Sequence, residues 1–391
     1  MKPILYLLLS LVFYWPLTLY SQTNVQTWEK QTQIRGLDFY TDVLEDVNKG
    51  FTVLGAKTIA GRSLDFWIVR YAENGDTIWT KCLGTEKKDI PKKIIQLADK
   101  GYIVTGSSKF DDKTVSIVYK LDENGTELWN KSFADQGFVN IEDLIPNGDG
   151  FTVVGSKGVN LENSNLWLAN FSIDGEIESE KSFDQDLTGS LKSIKLLPDG
   201  GLALAGNINE KGKKDCDIII LRIDAKGEVA WNSRIKTPGK KVWPECICCS
   251  PDSCFMVVGW QGNCLNDINS EYPVFDFDLV MNKIDCDGNV VWSKSFDKEG
   301  SEGGNAIAVL PDGSCLVAGV ITTSFLGKIG PWLIHADSQG NALNEKLLNM
   351  HMYQPTKILR CNDGSFIMVG PGMYEQINSR TDGWIMRFNN L

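Results

Sequence analysis

Six aromatic residues, Trp243, Trp260, Tyr272, Phe275, Tyr353 and Tyr374, and three carboxylates, Glu245, Asp267 and Glu271, lie in four segments that read as the longest loops of the chain. Aromatic faces offer apolar surface to sugar rings or peptide side chains, and neighbouring carboxylates accept hydrogen bonds from hydroxyl or amide groups. The chemistry this set supports is recognition of a carbohydrate or of a peptide or protein ligand.

Other chemistries find less support. The chain has only two histidines, His335 and His351, so a histidine-rich metal centre is excluded and a histidine base has two candidates. No nucleophile elbow, HExxH or phosphate loop appears. Asp and Glu are plentiful enough for a glycoside-cleaving carboxylate pair, but nothing in the sequence selects one. The aspartates of the DENG-type turns lack the alternating ligand run of a calcium loop and read as turn caps, so no metal and no cofactor are expected. With 39 basic and 50 acidic residues the net charge is −11, which argues against nucleic acid as a partner.

The elements that must position these residues are legible as a repeat. Short apolar stretches, GFTVLG, GYIVTG, GFTVVG, GLALAG, CFMVVG, SCLVAG and SFIMVG, end at Gly55, Gly106, Gly155, Gly206, Gly259, Gly319 and Gly370, spaced 51, 49, 51, 53, 60 and 51 apart. A period near 50 residues with strand-like content predicts a radial β architecture. Residues 93 to 133 show one whole unit, four short strands joined by turns rich in Asp, Asn and Gly. In four units a Trp stands four residues after the turn Gly (Trp79, Trp129, Trp231, Trp292), a register suited to packing between units. The seventh unit stops at Leu391 before a fourth strand, whereas residues 24 to 33 resemble a fourth strand with nothing before it. The predicted fold is therefore all-β: a seven-bladed β-propeller of four-stranded antiparallel blades, its ring closed by the N-terminal strand completing the C-terminal blade.

Residues 1 to 21, a charged start followed by an apolar core interrupted by Pro16, read as a cleaved signal peptide, leaving residues 22 to 391 as one propeller domain with no stable membrane span. The expected location is secreted, periplasmic or cell envelope. Ten cysteines in an exported chain make disulfides feasible, with connectivity open. Alternation along the strand holding Cys246, Cys248 and Cys249 sends the first two to one face and the third to the other.

The LPDGGLALAG and LRIDAKGEVAW stretches resemble secreted bacterial seven-bladed propellers of the Bacteroidetes type, and the second is also similar to the Trp-docking repeat of quinoprotein dehydrogenases. The first likeness implies the fold over residues 24 to 391. The second implies a quinone held against a Cys248–Cys249 disulfide, although the unit count of seven departs from the eight usual in those enzymes and no cofactor-binding Arg and Asp set is found.

Loops between the second and third strands, and between blades, emerge on one face and carry nearly all the length variation, so binding is expected there. The segments 260 to 277, 235 to 245, 348 to 355 and 371 to 383 read as its longest loops. The function expected is a ligand-binding or protein-interaction scaffold. The alternative is an extracellular carbohydrate-active enzyme, a glycoside hydrolase or lyase, on the same face.

Overall fold

The computed structural model describes residues 27–32, 36–60, 63–110, 113–133, 136–183, 187–210, 216–237, 240–264, 275–298, 300–323, 328–348, 354–373 and 381–389. The predicted signal peptide, Asp267, Glu271, Tyr272, Tyr353, Tyr374 and His351 lie outside the described residues, as do the side chains of Phe275 and Cys264. Among the described residues no helix is long and apolar enough to cross a membrane.

Twenty-eight strands form seven antiparallel sheets of four. Blades 1 to 6 are continuous in sequence, and their inner strands are Asp38–Glu45, Asp89–Gln96, Phe138–Asn147, Leu187–Leu196, Lys240–Cys249 and Gly300–Val309. Blade 7 takes three strands from the C-terminus, starting with the inner strand Lys357–Arg360, and its outer strand, Trp28–Gln31, from the N-terminus. The register runs from Trp28 opposite Arg387 to Gln31 opposite Trp384, so the two ends of the chain close the ring.

The tryptophan register seals one blade to the next. The indole N–H of Trp28 donates to the Glu73 carbonyl at 3.0 Å, Trp129 to Ile173, Trp231 to Cys286 and Trp292 to Ser338. The turn glycine of the following blade lies under the ring: a Cβ on Gly175 would come within 2.6 Å of Trp129, and one on Gly340 within 2.7 Å of Trp292. These glycines also hold positive φ of 75°, which larger residues adopt at a cost. On the same side, turn aspartates pair with basic residues of the third strands, as Asp46 does with Arg70 at 2.8 Å and Asp252 with Lys283 at 2.6 Å. Regular polar residues thus hold the turns and blade contacts in place.

The glycines that set the period have a second physical reason. In each of blades 1 to 6 the inner strand shifts register opposite that glycine, between Tyr40 and Asp42, Pro91 and Lys93, Ile141 and Asp143, Leu191 and Ser193, Pro244 and Cys246, and Gly304 and Ala306. At such a bulge the partner backbone swings inward. A Cβ on Gly55, Gly106, Gly155, Gly206, Gly259 or Gly319 would fall 1.9 to 2.4 Å from an inner-strand carbonyl oxygen, so no side chain fits. Pro91 and Pro244 are tolerated because the bulge removes a ladder hydrogen bond.

Three of the segments expected as loops are strand over part of their length. Trp243 and Glu245 lie on the inner strand of blade 5, and Trp260 on its second strand, Phe255–Cys264, with Phe275 opening the third, Phe275–Ile284. The reason is the ladder itself, which continues past the glycine as far as Lys240 opposite Asn263 and Cys264 opposite Phe275. The segment 371 to 383 is likewise strand at both ends, through Met373 and again from Thr381.

Candidate functional site

Each bulge leaves one inner-strand residue without a partner in the ladder: Thr41, Lys92, Glu142, Lys192, Glu245 and Asn305. An extra residue of this kind is turned out of the sheet, and on the innermost strand of a ring the space available is the central channel. Glu142 receives Lys92 on one side and Lys192, at 2.6 Å, on the other. Glu142 belongs to blade 3 and Glu245 to blade 5, and the two still sense one another's charge, as residues facing a common channel do.

The following residues make a second tier. Asp42 accepts the Ile94 N–H at 3.1 Å, Asp143 the Ile194 N–H at 3.0 Å, and Ser193 the Ile247 N–H at 3.3 Å. The bulge frees these backbone donors, and the neighbouring blade satisfies them. Lys93, Lys195 and Lys357 surround Asp143. The lysines Lys92, Lys93, Lys192, Lys195 and Lys357 therefore outnumber the carboxylates Asp42, Asp143, Glu142 and Glu245 at the centre of an otherwise acidic protein.

This field splits the two glutamates. Burial alone would raise the Glu142 carboxyl, but the ammonium groups of Lys92 and Lys192 hold it down at about 2. Glu245 is exposed on the inner strand of blade 5 yet enclosed by its neighbours. That enclosure, with the Glu142 charge adding to it and the lysines opposing it, pushes its carboxyl up to about 7. Lower in the channel Cys246 and Cys248 share a face of their strand. Cys246 donates to the Ile247 carbonyl at 3.9 Å and Cys248 to the Ile307 carbonyl at 3.3 Å, and the nearness of the two thiols, with Lys195, Lys357 and Lys93 assisting, draws Cys246 well below the ordinary thiol range and raises Cys248.

Toward the loop-bearing face the ring opens into a cavity of about 730 Å³ over blades 3 to 5. Its lining includes Lys192, Lys241, Trp243, Ser190, Asn207 and Asn163. Two residues singled out by sequence thus come together here, Trp243 on the cavity wall and Glu245 beside Lys192 in the ring. Trp260 has another task. Its indole N–H donates to Asn305 at 2.9 Å, and its ring lies where a Cβ on Gly303 would stand, 2.1 Å away, so it wedges blade 5 against blade 6. Phe277 packs between the two tryptophans, 5.6 Å from Trp243 and 6.2 Å from Trp260.

His335 is occupied by Ser314 at 3.3 Å. Cys82, Cys246, Cys248, Cys249, Cys254, Cys286, Cys315 and Cys361 are unbridged, and the neighbours Cys248 and Cys249 differ in setting, half-buried and exposed. The residues that sequence reasoning passed over are Lys92, Glu142 and Lys192. A signal for them existed: Thr41, Lys92, Lys192, Glu245, Asn305 and Thr356 each stand 14 positions before a repeat glycine, and Glu142 stands 13 before its own. Charges in that column are out of place on an innermost strand.

Fold and site together define a seven-bladed β-propeller with a charged central channel. No protein-family model matches the sequence, and no curated protein is significantly similar to it. Solved structures share the fold at low identity. The polysaccharide lyase Uly1 is similar with a TM-score of 0.56 at 9% identity, covering 92% of this chain and 91% of its own. The α-L-arabinofuranosidase Arb93A from Fusarium graminearum gives 0.51 at 11%, covering 90% and 93%. Puromycin hydrolase gives 0.54 at 13% over 85% of this chain, which spans only half, 50%, of that enzyme.

Proposed function

We propose that this propeller is a binding module for an anionic, sugar-like chain, taken up from the loop-bearing face into the cavity over blades 3 to 5. The observation that carries the reading is that Trp243 and Lys192 line the same cavity. An indole face suits the apolar side of a sugar ring, amide and hydroxyl groups such as Asn163, Asn207 and Ser190 suit its hydroxyls, and an ammonium suits a carboxylate substituent. Lys192 holds only one oxygen of Glu142, and the surplus of lysine behind it favours an incoming anion. Two solved propellers of this fold are, by their names, a polysaccharide lyase and an arabinofuranosidase, which is compatible with a glycan ligand. The test is a glycan and peptide array with the purified chain, read for saturable binding to carboxylated oligosaccharides and its loss in Trp243→Ala.

A second reading rests on the split between Glu245 and Glu142. A carboxyl raised to about 7 that faces the same channel as one held at about 2 is the split in acidity that acid-assisted glycoside cleavage uses. Turnover of a bound oligosaccharide, abolished in Glu245→Gln, would establish it. Export is part of the proposal: the mature chain begins at residue 22, in the cell envelope or outside, and N-terminal sequencing of exported protein checks it.

A further inference from the structure

The junction of blades 5 and 6 holds three carboxylates of a different kind. Asp278 stands on the third strand of blade 5, Asp297 just beyond its outer strand, Val290–Phe296, and Glu302 on the inner strand of blade 6. One oxygen from each lies within 4.8 Å of the others. Asp278 is 5% exposed and Glu302 0%, while Asp297 opens the group to solvent.

Each buried carboxylate uses one oxygen and leaves the other. Asp278 Oδ2 accepts from Asn263 at 2.7 Å and Ser295 at 3.2 Å, and Glu302 Oε2 accepts from the Lys298 N–H at 3.2 Å. Asp278 Oδ1 and Glu302 Oε1 are buried and have no hydrogen-bond partner. A buried carboxylate oxygen with neither donor nor cation is costly, and two beside a third carboxylate are costlier.

Blade 4 shows what is missing. Asp217 occupies there the place of Asp278, two residues before the one paired with the repeat glycine, and Arg234 bonds it at 2.6 Å. In blade 5 the residue equivalent to Arg234 is Ser295, each paired with the same third-strand position. Lys298, the nearest lysine in sequence, turns away to Glu345 at 3.1 Å. The positive charge that blade 4 builds in is replaced in blade 5 by two more negative ones.

We propose that Asp278, Asp297 and Glu302 bind a calcium ion, which takes the place of the arginine and clamps blade 5 to blade 6. The ligands are hard oxygens, as Ca²⁺ requires, and their separations stay within the span of two ligands about 2.4 Å from a Ca²⁺; Mg²⁺ keeps several of its waters and is seldom held by a set of protein carboxylates alone. The exposed side at Asp297 gives the ion an entry and room for water to complete its shell. The segment between Cys264 and Phe275 is the connection leading into the strand of Asp278, so the ion fixes the end of the longest insertion in the ring. This proposal is independent of the channel reading.

The test uses the whole mature chain, freed of metal by chelation, with calcium chloride as the probe. One Ca²⁺ per chain is expected by calorimetry, with the melting temperature rising by about 2–6 °C at saturating Ca²⁺. Mg²⁺ at the same concentration should leave the melting temperature unchanged. Asp297→Asn, an exposed substitution, is expected to weaken Ca²⁺ at least tenfold, and Glu302→Gln to abolish the response while melting no lower than the metal-free parent. No saturable Ca²⁺ binding at millimolar concentration, an equal response to Mg²⁺, or unchanged Ca²⁺ binding by Asp297→Asn would overturn the proposal.

Discussion

Lys192 Nζ lies 2.6 Å from Glu142 Oε1 across the boundary between blades 4 and 3. Both side chains are the extra residue of a bulge, and both bulges sit opposite a repeat glycine, Gly206 and Gly155. The device that spaces the blades therefore also furnishes the channel, turning one side chain in each of blades 1 to 6 out of the ladder. Chemistry at the axis is set by which residue occupies that one position.

Replacing Glu142 with Gln should leave Lys92 and Lys192 half-buried without a counter-charge. With its carboxyl held at about 2, against an ordinary 4.5, Glu142 contributes stability that is present above pH 4.5 and lost as the pH falls toward 2. Glu142→Gln should lower stability by about 2–3 kcal/mol at neutral pH and flatten that acid limb. Denaturant melts at pH 3 and pH 7 measure both effects.

Glu245 has the opposite sign. Because its carboxyl is raised to about 7 from 4.5, it opposes folding progressively as the pH climbs through that window, and fully above it. Glu245→Gln should match the parent at pH 4 and exceed it at pH 8, by about 1 kcal/mol once channel water is allowed for. An equal difference at both pH values would contradict this assignment.

Gly206→Ala places a Cβ 2.4 Å from the Ser190 carbonyl and 2.9 Å from Leu191 Cα, both backbone atoms that a side-chain adjustment cannot relieve. The expected cost is about 2–4 kcal/mol. Ligand affinity should fall with it, since this bulge aims Lys192. Calorimetry on the folded fraction separates the two effects.

The outer strand of blade 7 should be needed by the whole ring. Trp28 bonds Glu73 of blade 1, while Glu29 receives the Trp384 indole N–H at 2.7 Å. Trp28→Ala should cost about 2 kcal/mol, and deletion through Gln31 should lower the melting temperature of one cooperative transition. Retention of a native melt after that deletion would show that closure is dispensable.

The fold was legible because its determinants are local: the glycine opposite each bulge and the Trp four residues past the turn in four of the blades are forced by contacts within a blade or to the next one. The candidate site was legible only in part. Trp243 and Glu245 stood out beside an irregular segment, and the structure brings them to the cavity and the ring. Lys92, Glu142 and Lys192 did not, because charged residues such as the Lys92–Lys93 pair read as solvated loop and edge positions, and only ring closure brings residues some 50 positions apart to one axis. Trp260 has the same composition signal as Trp243, yet Gly303, in the next blade, decides that it packs between blades.

The most direct test of the channel-mouth account is calorimetric titration of the purified protein and of Lys192→Met with an oligosaccharide of uronic acids and with its neutral counterpart. The account predicts that the parent binds the acidic chain more tightly, and that Lys192→Met loses about tenfold in affinity for it, about 1.4 kcal/mol, while its affinity for the neutral chain changes little. Equal affinity of parent and variant for the acidic chain would contradict it.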